Sequence, residues 1–187
     1  MEVRITKTTI LAISLIVIGV ALRILPHTAN IAPVGAIALF AGAILSFRTA
    51  LWLPLLIMVL SDIFIGLHPT VAYTWGGFIL IALMATRLRA ASNWLRVPAG
   101  AIGASLIFFI VSNFGVWMEG RLYPATIQGL IDCYVMALPF LRNSLVADLG
   151  FSIVFFGLYT FVKPAIQGHY ILRLRPLSVR ETEPNQS

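Results

Sequence analysis

Two carboxylates stand where an apolar chain does not normally carry charge. Asp62 lies within Met58-Val-Leu-Ser-Asp-Ile-Phe-Ile65, and Asp148 within Leu145-Val-Ala-Asp-Leu-Gly-Phe151. An ionisable side chain in such surroundings is costly unless it is paired or faces water. Arg23 and Arg142 are the partners expected at matching depth. Together with Arg121 they could also hold an anionic or hydrogen-bonding ligand. Asn30, Asn113 and Asn143 offer amides for orientation. Trp75, Trp117 and Tyr134 offer flat walls for a bound ring. His27, His68 and Cys133 carry the nitrogen and sulfur donors that suit a metal-containing ligand. The two carboxylates would also suit general acid–base chemistry.

Each of these residues has a plainer reading. Trp and Tyr at the ends of apolar runs form an interfacial belt in many membrane proteins. An Asp–Arg pair can be a structural staple. Histidines in turns are more often turn residues than ligands, and a lone cysteine in an apolar helix is usually a small packing residue. With Cys133 the only cysteine, an intramolecular disulfide and a multi-cysteine metal site are excluded. No resident metal or cofactor is expected.

The elements that must position these residues are set by hydropathy. The 187 residues are 59% hydrophobic and only 11% charged, with mean hydropathy +0.95. A soluble domain carries about 25% charged residues, so a bilayer is the expected solvent. A spanning helix needs about 20 apolar residues. Six runs come close to that length: Thr8–Leu25, Ile31–Ser46, Ala50–Leu67, Val71–Thr86, Pro98–Trp117 and Asn143–Val162. The second and fourth are short. The first is read as a retained helix rather than a signal peptide, because it ends in Arg23-Ile-Leu-Pro26 with no small-x-small cleavage site.

Between Pro124 and Arg142 the pattern changes. Ile127, Leu130, Ile131, Tyr134, Val135 and Leu138 recur at helical spacing, with Gln128 and Asp132 off the stripe. This predicts an amphipathic helix at the interface or capping the bundle, ended by Pro139. A seventh span is the alternative, but Asp132 at mid-depth would make it costly. The expected fold is therefore all-α: a polytopic bundle of six transmembrane helices plus this amphipathic helix between the fifth and sixth. Residues 1–175 form one membrane domain, and 176–187 a disordered polar tail.

Six spans place both termini on one side. That side carries Arg4, Lys7, Arg48, Arg87, Arg89, Arg96, Lys163, Arg173, Arg175 and Arg180, against Arg23, Arg121 and Arg142 on the other. Under the positive-inside rule both termini are cytoplasmic. This accounts for the net charge of +6. A nucleic-acid partner is not expected, since the basic residues form no contiguous face interleaved with aromatics. The frame also gathers the unusual residues of the opening paragraph at the outer ends of the runs and in the connection between the fifth and sixth.

Four blocks of these residues carry a resemblance. They are Arg23-Ile-Leu-Pro-His27-x-x-Asn30-x-x-Pro33-x-Gly35-Ala36; Leu60-Ser-Asp62 with Gly66-Leu-His68-Pro69-Thr70; Ser112-Asn113-Phe114-Gly115-Val116-Trp117; and Cys133-Tyr134 with Pro139-Phe-x-Arg142-Asn143-Ser144 and Asp148. Together they resemble a family of small bacterial membrane proteins that is similar to the substrate-binding S-components of energy-coupling factor (ECF) transporters. The resemblance implies a membrane-embedded binder of a vitamin or similar micronutrient, loaded from the outer side and covered by loops. It also implies a transmembrane and ATPase motor module as partner, contacted through small-residue helix faces. Ala32-Pro-Val-Gly-Ala36, Ala38-x-x-x-Gly42 and Gly100-x-x-x-Ala104 are the surfaces of that kind, although small residues also pack ordinary helix pairs.

The chain lacks a Gly-x-x-x-x-Gly-Lys-Ser/Thr phosphate loop, a His-Glu-x-x-His pair and a Gly-x-Ser-x-Gly elbow. The leading expectation is a solute binder without enzymatic activity. Its site would comprise Arg23, His27, Asn30, Asp62, His68, Trp75, Asn113, Trp117, Arg121, Tyr134, Arg142, Asn143 and Asp148, with the helix around Gln128–Leu138 as lid. The rivals are an intramembrane enzyme acting on a lipid-linked or quinone-like substrate through Asp62 and Asp148, and an assembly factor with no ligand.

Overall fold

The computed structural model describes residues 7–26, 28–88 and 96–171, the side chains of 7 and 164–171 excepted. The tail 176–187, His27, Arg4, Arg89, Arg173, Arg175 and Arg180 lie outside the described residues. Every regular element among those described is a helix: α1 (Lys7–Ile24), α2 (Val34–Ile44), α3 (Phe47–Ile65), α4 (Val71–Thr86), α5 (Arg96–Glu119), α6 (Ile127–Met136) and α7 (Leu138–Ile171).

Among the described residues three stretches are long and apolar enough to cross a membrane: Phe47–Ile65, Arg96–Glu119 and Leu138–Lys163. The outside of the bundle is hydrophobic to match. Phe64 is 73% exposed and Phe161 85%, a surface that suits lipid rather than water. In lipid, burying an apolar side chain between helices gains little from water exclusion. Close packing and polar links between helices must therefore hold the bundle together.

Local sequence sets the breaks. Ser46 caps α3, its hydroxyl accepting the Thr49 N–H at 3.3 Å. Thr126 caps α6 by accepting the Gly129 N–H at 3.1 Å. Such caps satisfy amide groups that the first helical turn leaves unpaired. Gly66 ends α3 with φ +100°, a conformation that side chains disfavour.

The centre of the fold is α2. It has 11 residues, so at 1.5 Å per residue it runs only about 16 Å. The expected span Ile31–Ser46 is thus a half-length helix. Residues from Val34 through Gly42 are all buried, because α1, α3, α4, α5 and α7 surround it. Its apolar residues point in every direction, as suits a helix with no lipid-facing side. Phe40 packs edge-on against Phe156 with ring centres 5.1 Å apart, and Ile37, Leu39, Leu53, Ile57 and Ile81 complete the core.

The small-residue faces are spent inside this core. A Cβ on Gly42 would collide with Ala85 and the Ala82 carbonyl. Gly100 is pressed against Leu88 and Leu39, and Ala36, Ala38 and Ala104 are wholly buried. They let α2 approach α4 and α5, and are not open surfaces for a motor subunit.

One expectation about the connection before α7 changes. Pro139 does not end α6; it sits in the first turn of α7, where its missing N–H costs nothing. The buried face of α6 is its small-residue face. Gly129 and Cys133 are its buried residues, while Ile127 at 79% and Val135 at 55% stay exposed. The Gly129 backbone lies so close to Pro124 that a Cβ would strike its carbonyl. Small side chains set the seat of this helix.

Candidate functional site

The C-terminal ends of α1, α3 and α5 meet the N-terminal ends of α2, α4 and α7 at one end of the bundle. Two buried carboxylates organise that end. Asp62, 1% exposed, accepts the Arg23 guanidinium on one oxygen at 2.6 Å. The Trp75 indole N–H donates to its other oxygen at 2.9 Å. One side chain of α3 thus links α1 and α4.

Asp148 plays the corresponding part for the other helices. From α7 it accepts the Ser105 hydroxyl of α5 at 2.7 Å and the backbone N–H of Ala36 in the first turn of α2. It lies where a side chain on Gly35 would otherwise stand. The start of α2 carries unpaired N–H groups and a partial positive charge. A carboxylate supplied by another helix pairs one of those N–H groups and offsets that charge, which helps α2 begin inside the bundle.

Between these centres lies a chamber of about 90 Å³, bordered by Arg23, Asn30, Gly35, Phe108, Ser144 and Asp148. The Arg23 Nε is buried there without a hydrogen-bond partner. A second chamber of about 330 Å³ shares Asn30 and Phe108 as walls. Thr70, Thr74, Ser112 and Asn113 give it polar groups, and Met136, Ala137 and Phe140 close it from the α6–α7 side.

The loops around the chambers are tied down. Asn30 has φ +63°, a left-handed conformation that asparagine tolerates. The Asn143 amide donates to the Ala29 carbonyl at 3.0 Å, holding this turn against α7. His68 Nδ1 and the Thr70 hydroxyl share a hydrogen bond at 2.9 Å. The Tyr134 hydroxyl donates to the Ile110 carbonyl at 2.7 Å, and the Cys133 thiol to the Asn113 carbonyl at 3.4 Å. Both fasten α6 to α5.

Residues 3–169 match a family described as a family of unknown function (DUF6580). The chain belongs to that family. No curated protein and no solved structure matches it.

In this DUF6580 chain, Arg23, Asn30, Asn113 and Asp148 border the chambers. Asp62 and Trp75 stand behind Arg23, and His68 and Asn143 stand behind Thr70 and Ala29. Trp117, whose indole N–H donates to the Pro124 carbonyl at 3.1 Å, fastens a loop, and Tyr134 fastens α6 to α5; neither borders a chamber. The aromatic walls are Phe78 and Phe108 in the smaller chamber and Phe108, Tyr123 and Phe140 in the larger. Arg121 is 73% exposed beside Glu119 at 3.1 Å, and Arg142 is exposed and borders neither chamber. Neither can supply charge to a ligand there. His27 lies outside the described residues.

Sequence reading missed Phe108, Ser105, Thr74 and Ser112 as site residues. Phe108 reads as one more lipid-facing aromatic. Ser105 was findable, since it lies in the same small-residue stripe as Ala101 and Ala104, on a face that has to meet another helix.

Proposed function

We propose that the chain is the substrate-binding component of a membrane uptake system for a vitamin-like or other small micronutrient, as its resemblance to ECF S-components implies. The observation that supports this reading is the pair of adjacent chambers. They are polar at defined points, aromatic between, and set at one end of an apolar bundle. Ligand sites of membrane and soluble proteins share that composition. The short helix α6 and the start of α7 cover the larger chamber and act as its lid.

In this reading α1, α2, α3, α4, α5 and α7 are six crossings and α6 lies at the interface. The half-length α2 counts as a crossing because other helices wall it in, so its ends never meet lipid. The ten-to-three split of basic residues orients the chambers outward and both termini toward the cytoplasm of a bacterial inner membrane. A motor subunit would dock on a surface other than the three small-residue faces.

The enzymatic alternative loses its acid–base pair, because both oxygens of Asp62 are already engaged. An assembly factor with no ligand would leave no reason for polar chambers of this size. The deciding experiment is native mass spectrometry of the protein in mild detergent, followed by denaturing extraction. A stoichiometric small molecule is expected. A protein that is empty as isolated, and stays empty after incubation with a small-molecule cell extract, would overturn the proposal.

A further inference from the structure

The charged side chains around the inner chamber do not balance. Arg23 is matched by Asp62 at 2.6 Å, so its unpartnered Nε–H can serve a neutral acceptor but brings no spare charge. Asp148 has no cationic side chain against it among the described residues. Its partners are the Ser105 hydroxyl and the Ala36 N–H. An ionised carboxylate accepts about four hydrogen bonds, and a helix N-terminus supplies roughly half a positive charge. Acceptor capacity and negative charge are both left over, and Asp148 borders the chamber. Among the described residues the outer chamber offers hydroxyls and amides but no charged side chain. Arg121 and Arg142, which could have reversed the sign, border neither.

Resting on the binder reading above, we propose that the ligand carries a positively charged nitrogen head. That head seats against Asp148 in the inner chamber, and an uncharged ring or chain lies in the outer one beside Phe108 and Phe140. A cation there completes the hydrogen bonding of Asp148 and cancels the residual charge. An anionic head would meet an unneutralised carboxylate across about 90 Å³.

The test uses three probes that share one ring and differ in head: phenethylamine, phenylacetamide and phenylacetate. Binding to the full chain in detergent is followed by thermal stability and saturation-transfer NMR. Phenethylamine should bind about ten- to a hundredfold tighter than the other two, the range set by one charge-assisted hydrogen bond. Asp148→Asn should erase the preference. Where that variant does not fold, Ser144→Val narrows the chamber while leaving Asp148 on Ser105 and Ala36, and should weaken phenethylamine alone. Equal binding of the three probes, or a preference for phenylacetate, overturns the cationic ligand and leaves the binder intact. No binding of any probe, with an empty protein by mass spectrometry, overturns both.

Discussion

Arg23 on α1 and Asp62 on α3 meet at 2.6 Å although 39 positions separate them in the chain. Asp62 is almost fully buried and Arg23 partly so. Removing one partner of such a pair strands the other charge and costs about 3–5 kcal/mol. Asp62→Leu should destabilise by that order in reversible unfolding by SDS in mixed micelles. The double variant Arg23→Met/Asp62→Leu should recover much of the loss, because an apolar pair of similar volume is often neutral. A double variant no better than the single one would show that the pair does more than staple α1 to α3.

Gly35 has no room for a side chain because the Asp148 carboxylate occupies its Cβ position. Gly35→Ala should therefore displace Asp148 from the start of α2 and cost about 1–3 kcal/mol, as overpacking does. Gly150, two residues along the same α7, faces open space. Gly150→Ala should leave the melting temperature unchanged or raise it. Equal effects at the two glycines would refute the capping of α2 by Asp148.

Cys133 is 2% exposed, and burial pushes its thiol above the ordinary value. A raised pKa means less thiolate at neutral pH, and thiolate is the reactive form. Maleimide labelling of the folded protein should be slow at pH 7 and accelerate only at a pH above that needed by a free thiol. In SDS it should be fast. Because Cys133 borders the outer chamber, a bound ligand should slow it further.

Arg121→Ala and Arg142→Ala should leave ligand affinity within about twofold, since exposed charges outside a site contribute little. Asn113→Leu, inside the outer chamber, should weaken binding at least about tenfold through a lost or unsatisfied hydrogen bond. Titration of the three variants with the same ligand checks the assignment. A large loss at Arg142 would relocate the site.

With Cys133 replaced by Ala, a cysteine at position 121 should label from outside intact spheroplasts with a membrane-impermeant maleimide. Labelling only after lysis would invert the proposed orientation.

The elements were largely legible because each apolar run is bounded by prolines, capping residues or charges. Length was harder to read for α2. Its sequence, Val34–Ile44, is apolar on all sides, and a helix surrounded by protein gives the same signal as one surrounded by lipid. Only Pro33 and the Ser46 cap bound it. Site residues were legible where polarity stood out against an apolar background, as at Arg23, Asp62 and Asp148. Partnership was not legible. Nothing in the sequence distinguishes Arg23, which reaches a buried carboxylate, from Arg142, which stays at the surface. Phe108 and Ser105 escaped notice because an aromatic or small residue in an apolar helix has the same composition on either face.

The shortness of α2 also shapes the electrical profile of the molecule. The inner chamber reaches down to the first turn of this helix, so about 16 Å of packed helix separates its floor from the other end of the bundle. A hydrocarbon core is about 30 Å thick. In the proposed orientation the voltage of an energised membrane falls partly across the narrow chambers and more steeply across the dry half, so the chamber floor lies part-way down that fall. A charge arriving at Asp148 has then moved through a fraction of the membrane potential before any helix has shifted. At about 2.3 kcal/mol per charge for 100 mV, occupancy of the chamber by a cation would rise or fall with the polarisation of the cell.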